Sequence, residues 1–222
     1  MKKILRKIFT LVAKPYVSRM ISTDQTIRFR GINLLVKKGV FHPLYFYSTK
    51  FLIEYLKNEN LENKKLLELG AGSGLISFYA ETQKNAIVIA SEISEIAVAG
   101  LQSNKQNLGS KIEIIASDLF DSIPIQNFDF IIINPPYYPK KPNSSPEFAW
   151  YCGEGFEFFY KLFGQISQYF NQNSKVLMIL SEDCDLEQIK EIGFQHGFIF
   201  LLKAKKSYFL EENYIFEIRY SA

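Results

Sequence analysis

Apolar residues along this chain follow two rhythms that change over near residues 58–64. In the first part Ile4, Leu5, Ile8, Phe9, Leu11 and Val12 sit among Lys2, Lys3, Arg6 and Lys7 at helical spacing, predicting a short amphipathic helix over 2–13 that ends near Pro15. Over residues 26–41 the rhythm is strand-like: Ile27 and Phe29 alternate with Arg28 and Arg30, Gly31 offers a turn, and 34–36 runs apolar. That pattern predicts a β-hairpin, and residues 46–58 read as a helix. Residues 1–60 are therefore expected to form an N-terminal extension of helix, hairpin and helix.

After Asn63 the apolar positions gather into short continuous runs at 66–69, 86–90, 112–116, 128–133 and 176–180, with helical stretches at 75–83, 94–107 and 155–171 between them. A strand that is apolar on both sides needs cover on both faces. The alternation therefore predicts a three-layer α/β fold over residues 61–222, a doubly wound and mostly parallel sheet between two helical layers. Segment 185–196 reads as a further helix, and 198–204 and 213–220 as strands that pair antiparallel at the end.

Composition agrees with a packed domain: 47% of the 222 residues are hydrophobic, enough to build a core and exclude wholesale disorder. The two cysteines, Cys152 and Cys184, cannot form a disulfide framework, and with two histidines there is little material for a metal centre, so no metal is expected. No apolar run approaches a membrane span, and Lys14 and Pro15 interrupt the first one too early for a signal peptide, so a reduced, soluble, cytoplasmic protein is expected. The overall charge of +3 hides an asymmetry: residues 1–60 hold twelve Lys/Arg against Asp24, Glu54 and Glu59, whereas the remainder is net acidic. A basic end of this kind fits either an acidic or phosphate-bearing partner or a plain solvated face.

Candidate chemistry collects where predicted strands end. Gly70-Ala71-Gly72-Ser73-Gly74 closes the first core strand and opens a helix; glycines there permit a sharp turn and let a ligand approach the backbone. The spacing departs from the dinucleotide pattern, which needs glycine at 75 where the chain has Leu75. Glu92 ends the next strand, placed to accept ribose hydroxyls, so the pair points to a nucleoside-type cofactor; a tight turn beside an incidental acid is the alternative. Asp118 follows the third strand, where it can accept from an adenine amino group or merely cap a turn.

The fourth strand runs into Asn134-Pro135-Pro136-Tyr137. Each proline keeps the residue before it extended and brings no N–H, leaving the Asn134 amide oxygen and the Pro135 carbonyl as two stiffly held acceptors. Two such acceptors match the two N–H donors of a planar amino group, on which Tyr137 can stack. A strand terminator would need neither the asparagine nor the tyrosine.

These motifs resemble those of class I S-adenosylmethionine-dependent methyltransferases of the amino-methylating, HemK-like branch, over roughly residues 40–222. That branch includes enzymes acting on glutamine amides and on exocyclic amines of RNA and DNA. The resemblance implies a Rossmann-like sheet and S-adenosylmethionine as cofactor. It implies Glu68, Gly70, Ala71, Gly72 and Gly74 as cofactor loop, Glu92 and Ile93 at the ribose, Asp118 and Leu119 at adenine, and Asn134, Pro135, Pro136 and Tyr137 around the target amine, with Asn134 also beside the cofactor. The stretch Trp150-Tyr151-Cys152-Gly153-Glu154-Gly155 sits where glutamine-directed members carry a glycine-rich turn. Val40-Phe41-His42-Pro43 with Ser48-Thr49 resembles the segment that folds over the cofactor, His42 standing where relatives carry another polar residue.

The expected activity is N-methylation of a planar amine in a macromolecule. The basic first sixty residues lean toward a base in structured RNA, with a protein glutamine as the alternative. An NAD-dependent oxidoreductase and a catalytically silent RNA-binding module are the readings of other classes. His196 before Gly197 reads as a helix cap, and both cysteines as packing residues.

Overall fold

A computed structural model of the chain describes residues 23–208 and 211–221; the helix expected over 2–13 lies outside them. The first described elements are the strands β1 (Gln25–Phe29) and β2 (Ile32–Val36), an antiparallel hairpin in which Phe29 pairs with Ile32. Its two turn residues, Arg30 and Gly31, have φ of 48° and 84°. Positive φ at both central positions is the backbone of a type I′ turn, whose twist matches that of the flanking strands.

Helix α1 (Tyr47–Leu56) leads into the sheet strands β3 (Lys65–Leu69), β4 (Ile87–Glu92), β5 (Glu113–Ala116), β6 (Phe130–Ile133), β7 (Lys175–Ser181), β8 (Phe198–Tyr208) and β9 (Glu211–Tyr220). Between them lie α2 (Leu75–Lys84), α3 (Glu95–Leu108), α4 (Glu157–Gln165) and α5 (Leu186–Gln195). The sheet order is β5-β4-β3-β6-β7-β9-β8, and only β9 runs against its neighbours. The doubly wound, mostly parallel sheet expected from the apolar runs is therefore present, in the Rossmann-like form the resemblance implies, with an antiparallel last strand.

Period-two alternation sends each strand's side chains to both faces. Leu66, Phe130, Ile132, Leu177 and Ile179 join one buried cluster with α1, α2 and α3. Leu67, Ile131, Ile133, Met178 and Leu180 join the other with α4 and α5. The hairpin lies on the first side: Ile27, Ile32, Leu34 and Val36 belong to the same cluster as Leu66, so residues 23–60 share a core with the sheet. Asn104 of α3 ties the hairpin down, its Oδ1 accepting from Leu35 N at 2.7 Å and its Nδ2 donating to Leu35 O at 2.9 Å.

The expected helix over 155–171 is shorter. Phe156 has a φ of 62°, which delays its start, and a 3-10 turn at Ile166–Gln168 ends it. Strand order reverses between β3 and β6. In a doubly wound sheet the crevice beyond the carboxyl ends of such a pair is where ligands bind. The glycine loop follows β3 and the Asn-Pro-Pro-Tyr segment follows β6, so both open onto that crevice.

Candidate active site

The three loop glycines all hold left-handed backbone, at φ of 67° (Gly70), 55° (Gly72) and 80° (Gly74). Two of them serve different ends. A Cβ on Gly74 would sit 2.5 Å from Leu101 Cδ2 and 2.7 Å from Phe78 Cε2, so Gly74 answers to packing. A Cβ on Gly70 would meet no atom within 4 Å and would project into open space, leaving backbone bare to a ligand. Ala71 N donates to Ser91 O at 2.9 Å and pins the loop to the end of β4.

Two buried carboxyls brace this loop. Glu68 Oε2 accepts from Ser77 N at 2.8 Å and from the Ser77 hydroxyl in the first turn of α2. Burial pushes the Glu68 carboxyl up to about 8, against those hydrogen bonds. Glu92 Oε2 accepts from Gly72 N at 2.8 Å, and its Oε1 from Ile93 N and Ser94 N, both at 2.9 Å. Burial also raises the Glu92 carboxyl, though these three amides counter it. Three donors do not exhaust two carboxylate oxygens, so Glu92 keeps acceptor capacity at the cavity wall it lines.

Asp118 lies at the mouth and bonds to a residue that sequence reasoning missed. Lys161 of α4 donates to Asp118 Oδ2 and Asp121 Oδ2, each at 2.6 Å. Leu119 is buried at a φ of 52°, an uncommon backbone for a leucine, and its carbonyl accepts from Ser91 Oγ at 3.3 Å. Beyond β6, Asn134 Nδ2 donates to Ser48 Oγ at 3.3 Å. Pro135 is buried and Pro136 half-buried. The Tyr137 ring packs on the second core cluster, and its hydroxyl shares a hydrogen bond with Ser181 at the end of β7. Burial holds that phenol well above its ordinary value, so it stays neutral.

One cavity of about 330 Å³ is bordered by all of the residues singled out at these strand ends: Glu68 to Gly72, Glu92, Ile93, Asp118, Leu119 and Asn134 to Tyr137. Gly74 is the exception, lying behind the loop. The cavity falls within the range of small-molecule sites. Its roof comes from two stretches. Phe41 and Phe46 stack at 4.7 Å and meet Trp150 at 5.4 and 5.0 Å, and Ser145 Oγ lies 3.0 Å from Ser94 Oγ. His42 is buried within the first stretch and stacked on Tyr45 at 3.6 Å. Its Nε2 has no hydrogen-bond partner among the described residues.

His196 is the C-cap of α5, with Nδ1 2.8 Å from Ile192 O. Cys152 and Cys184 are buried, and burial pushes their thiols up to about 11 and about 12, away from nucleophilic character. No helix among the described residues is long and apolar enough to cross a membrane.

The bare backbone at Gly70 and the partly engaged, buried Glu92 carboxylate suit a nucleoside with a diol, and the adjoining β6 exit suits a reacting group. This is the fold and crevice of a class I S-adenosylmethionine-dependent methyltransferase. Residues 31–150 match the methyltransferase small domain family, and the chain belongs to it.

The chain is 28% identical over 179 residues to a Methanocaldococcus jannaschii protein provisionally named as a protein N5-glutamine methyltransferase, covering 76% of this chain and 88% of that one. It is 29% identical over 181 residues to the Lactococcus lactis release factor glutamine methyltransferase, covering 76% of this chain and 62% of that one. It spans only 27% and 30% of the length of two Rickettsia bifunctional methyltransferases to which it is 31% identical. A Pyrococcus furiosus methyltransferase crystal structure shares the fold at a TM-score of 0.63 and 22% identity, over 95% of this chain and 98% of that one.

Proposed function

We propose that this chain transfers a methyl group from S-adenosylmethionine to the side-chain amide nitrogen of a glutamine in a protein. The observation that carries the reading is the shared cavity: the glycine loop with Glu92, and the Asn134–Tyr137 exit, border one space at the point where strand order reverses.

S-adenosylmethionine, when bound, supplies an electrophilic methyl on a sulfonium. Gly70 would offer it bare backbone beside Gly72, Glu92 would take its ribose hydroxyls, and Asp118 with Leu119 would border its adenine. Asn134 Oδ1 and Pro135 O accept the two N–H bonds of the target amide and fix its plane, so the face of the nitrogen turns toward the methyl. Transfer would form an N–C bond as the donor's C–S bond breaks; the amide N–H groups would become stronger donors on the way, so Asn134 Oδ1 and Pro135 O would hold the transition state better than the ground state. One proton then leaves the nitrogen for water on the acceptor side, and a singly methylated amide remains. Tyr137, neutral by burial, walls the amide and takes no proton.

The choice of glutamine departs from the expectation of an RNA base. Curated relatives covering three quarters of this chain are named for glutamine methylation. The basic charge of the first sixty residues then serves to dock an acidic part of the protein substrate.

The test is incubation with methyl-labelled S-adenosylmethionine and cell extract separated into protein, RNA and DNA. Label is expected in protein; label confined to RNA would restore the base reading.

A further inference from the structure

The Asn134 side chain makes one hydrogen bond among the described residues, and its donor end makes it: Nδ2 donates to Ser48 Oγ at 3.3 Å. An asparagine amide has nearly the same shape either way round, yet one end only donates and the other only accepts. Reversed, Asn134 would turn an NH2 group on the target's N–H, donor against donor. Its chain neighbours Pro135 and Pro136 lack N–H groups and offer Oδ1 no donor. Ser48 offers Nδ2 a hydroxyl oxygen. It is the second residue of α1, a helix that buries Thr49, Phe51, Leu52, Ile53 and Leu56, and it borders the same cavity as Asn134.

We propose that Ser48 is a positioning residue of the methyl-transfer site: its hydroxyl holds the Asn134 side chain through Nδ2 and leaves Oδ1 turned to the target amine. This role rests on the amide-clamp reading above. It makes helix α1, 86 residues earlier in the chain, part of what holds the clamp in place.

Two readouts test it. In Ser48→Ala the bias of one hydrogen bond is lost, and kcat is expected to fall about five-fold or more. KM for S-adenosylmethionine and affinity for S-adenosylhomocysteine should change less than kcat, because the lost bond is to Asn134 rather than to the glycine loop or Glu92. Ser48→Thr keeps a hydroxyl and should return kcat. The second readout needs no substrate: the side-chain amide signal of Asn134 in a ¹⁵N spectrum, assigned by its disappearance in Asn134→Ala. It is expected to shift and exchange faster in Ser48→Ala and to recover in Ser48→Thr. An unchanged Asn134 signal in Ser48→Ala, or an unchanged kcat, overturns the role whatever the substrate. A shifted signal in a protein that methylates nothing supports the contact and overturns only the reading of function.

Discussion

The two sides of the crevice are built differently. On the β3–β4 side, the polar groups that shape the loop are satisfied within the loop's own neighbourhood: Glu68 on Ser77, Glu92 on Gly72, Ile93 and Ser94, and Ala71 on Ser91. On the β6–β7 side the polar groups reach far along the chain or lack a mate. Asn134 leans on Ser48, Tyr137 on Ser181, and Asn213, opposite Ser181 on β9, has a buried Nδ2 with no partner among the described residues. A site that takes one unchanging cofactor can be finished in advance, because every donor and acceptor it must offer is always the same. On the function proposed above, the second side would admit and release a changing substrate, and it borrows its rigidity from distant elements.

Substitutions should separate the two sides. Asn134→Ala removes one acceptor of the proposed clamp and should cut methyl transfer by roughly three orders of magnitude, since the contact acts mainly on the transition state. S-adenosylhomocysteine affinity in the same variant, measured by calorimetry, should stay near wild type; a parallel loss of binding would merge the two sides into one. Gly70→Val places a branched side chain at a φ of 67° and in the open space of the cavity. It should weaken S-adenosylhomocysteine binding by about a hundred-fold or more through lost space and backbone strain. Glu92→Ala should weaken the same ligand by roughly 1–3 kcal/mol, in the presence of chelator, by leaving buried donors without an acceptor. Unchanged affinity would remove Glu92 from the site.

A further effect concerns stability alone. In the unfolded chain the Glu68 carboxyl ionises at about its ordinary 4.5, whereas in the folded protein it keeps its proton to about 8. The folded state therefore binds more protons over that window, and stability should fall as pH rises through it. Urea unfolding at pH 5 and pH 8 should show a loss on the order of a few kcal/mol in the wild type. Glu68→Gln, which cannot ionise, should show less; an equal slope in both would place the titration elsewhere.

The contrast also explains what the sequence disclosed. Each parallel strand writes its apolar run and then the residues that border the cavity in continuous order, so the glycine loop, Glu92, Asp118 and the Asn134–Tyr137 exit could be found by reading past the end of each run. The sheet was legible for the same reason. Lys161 was not, because its pairing with Asp118 spans 43 residues and nothing in a helix surface lysine announces its partner. The bond from Asn134 to Ser48 was hidden likewise. The hairpin showed its buried face through the alternation of Ile27 and Phe29, but alternation does not say which core receives it. The charge of the first sixty residues leaned toward RNA, but net charge fits an acidic protein partner equally well, so it could not choose between the two.

The central claim is that the clamp at Asn134 and Pro135 directs the methyl group to an amide nitrogen. Acid hydrolysis of the labelled protein product tests it most directly, because an N-methylated amide is cleaved to a carboxylate and free methylamine. Label released as volatile methylamine, with N5-methylglutamine recovered from an enzymatic digest of the same sample, is the expected result. Label retained on a non-volatile amino acid such as methyl-lysine would contradict the account.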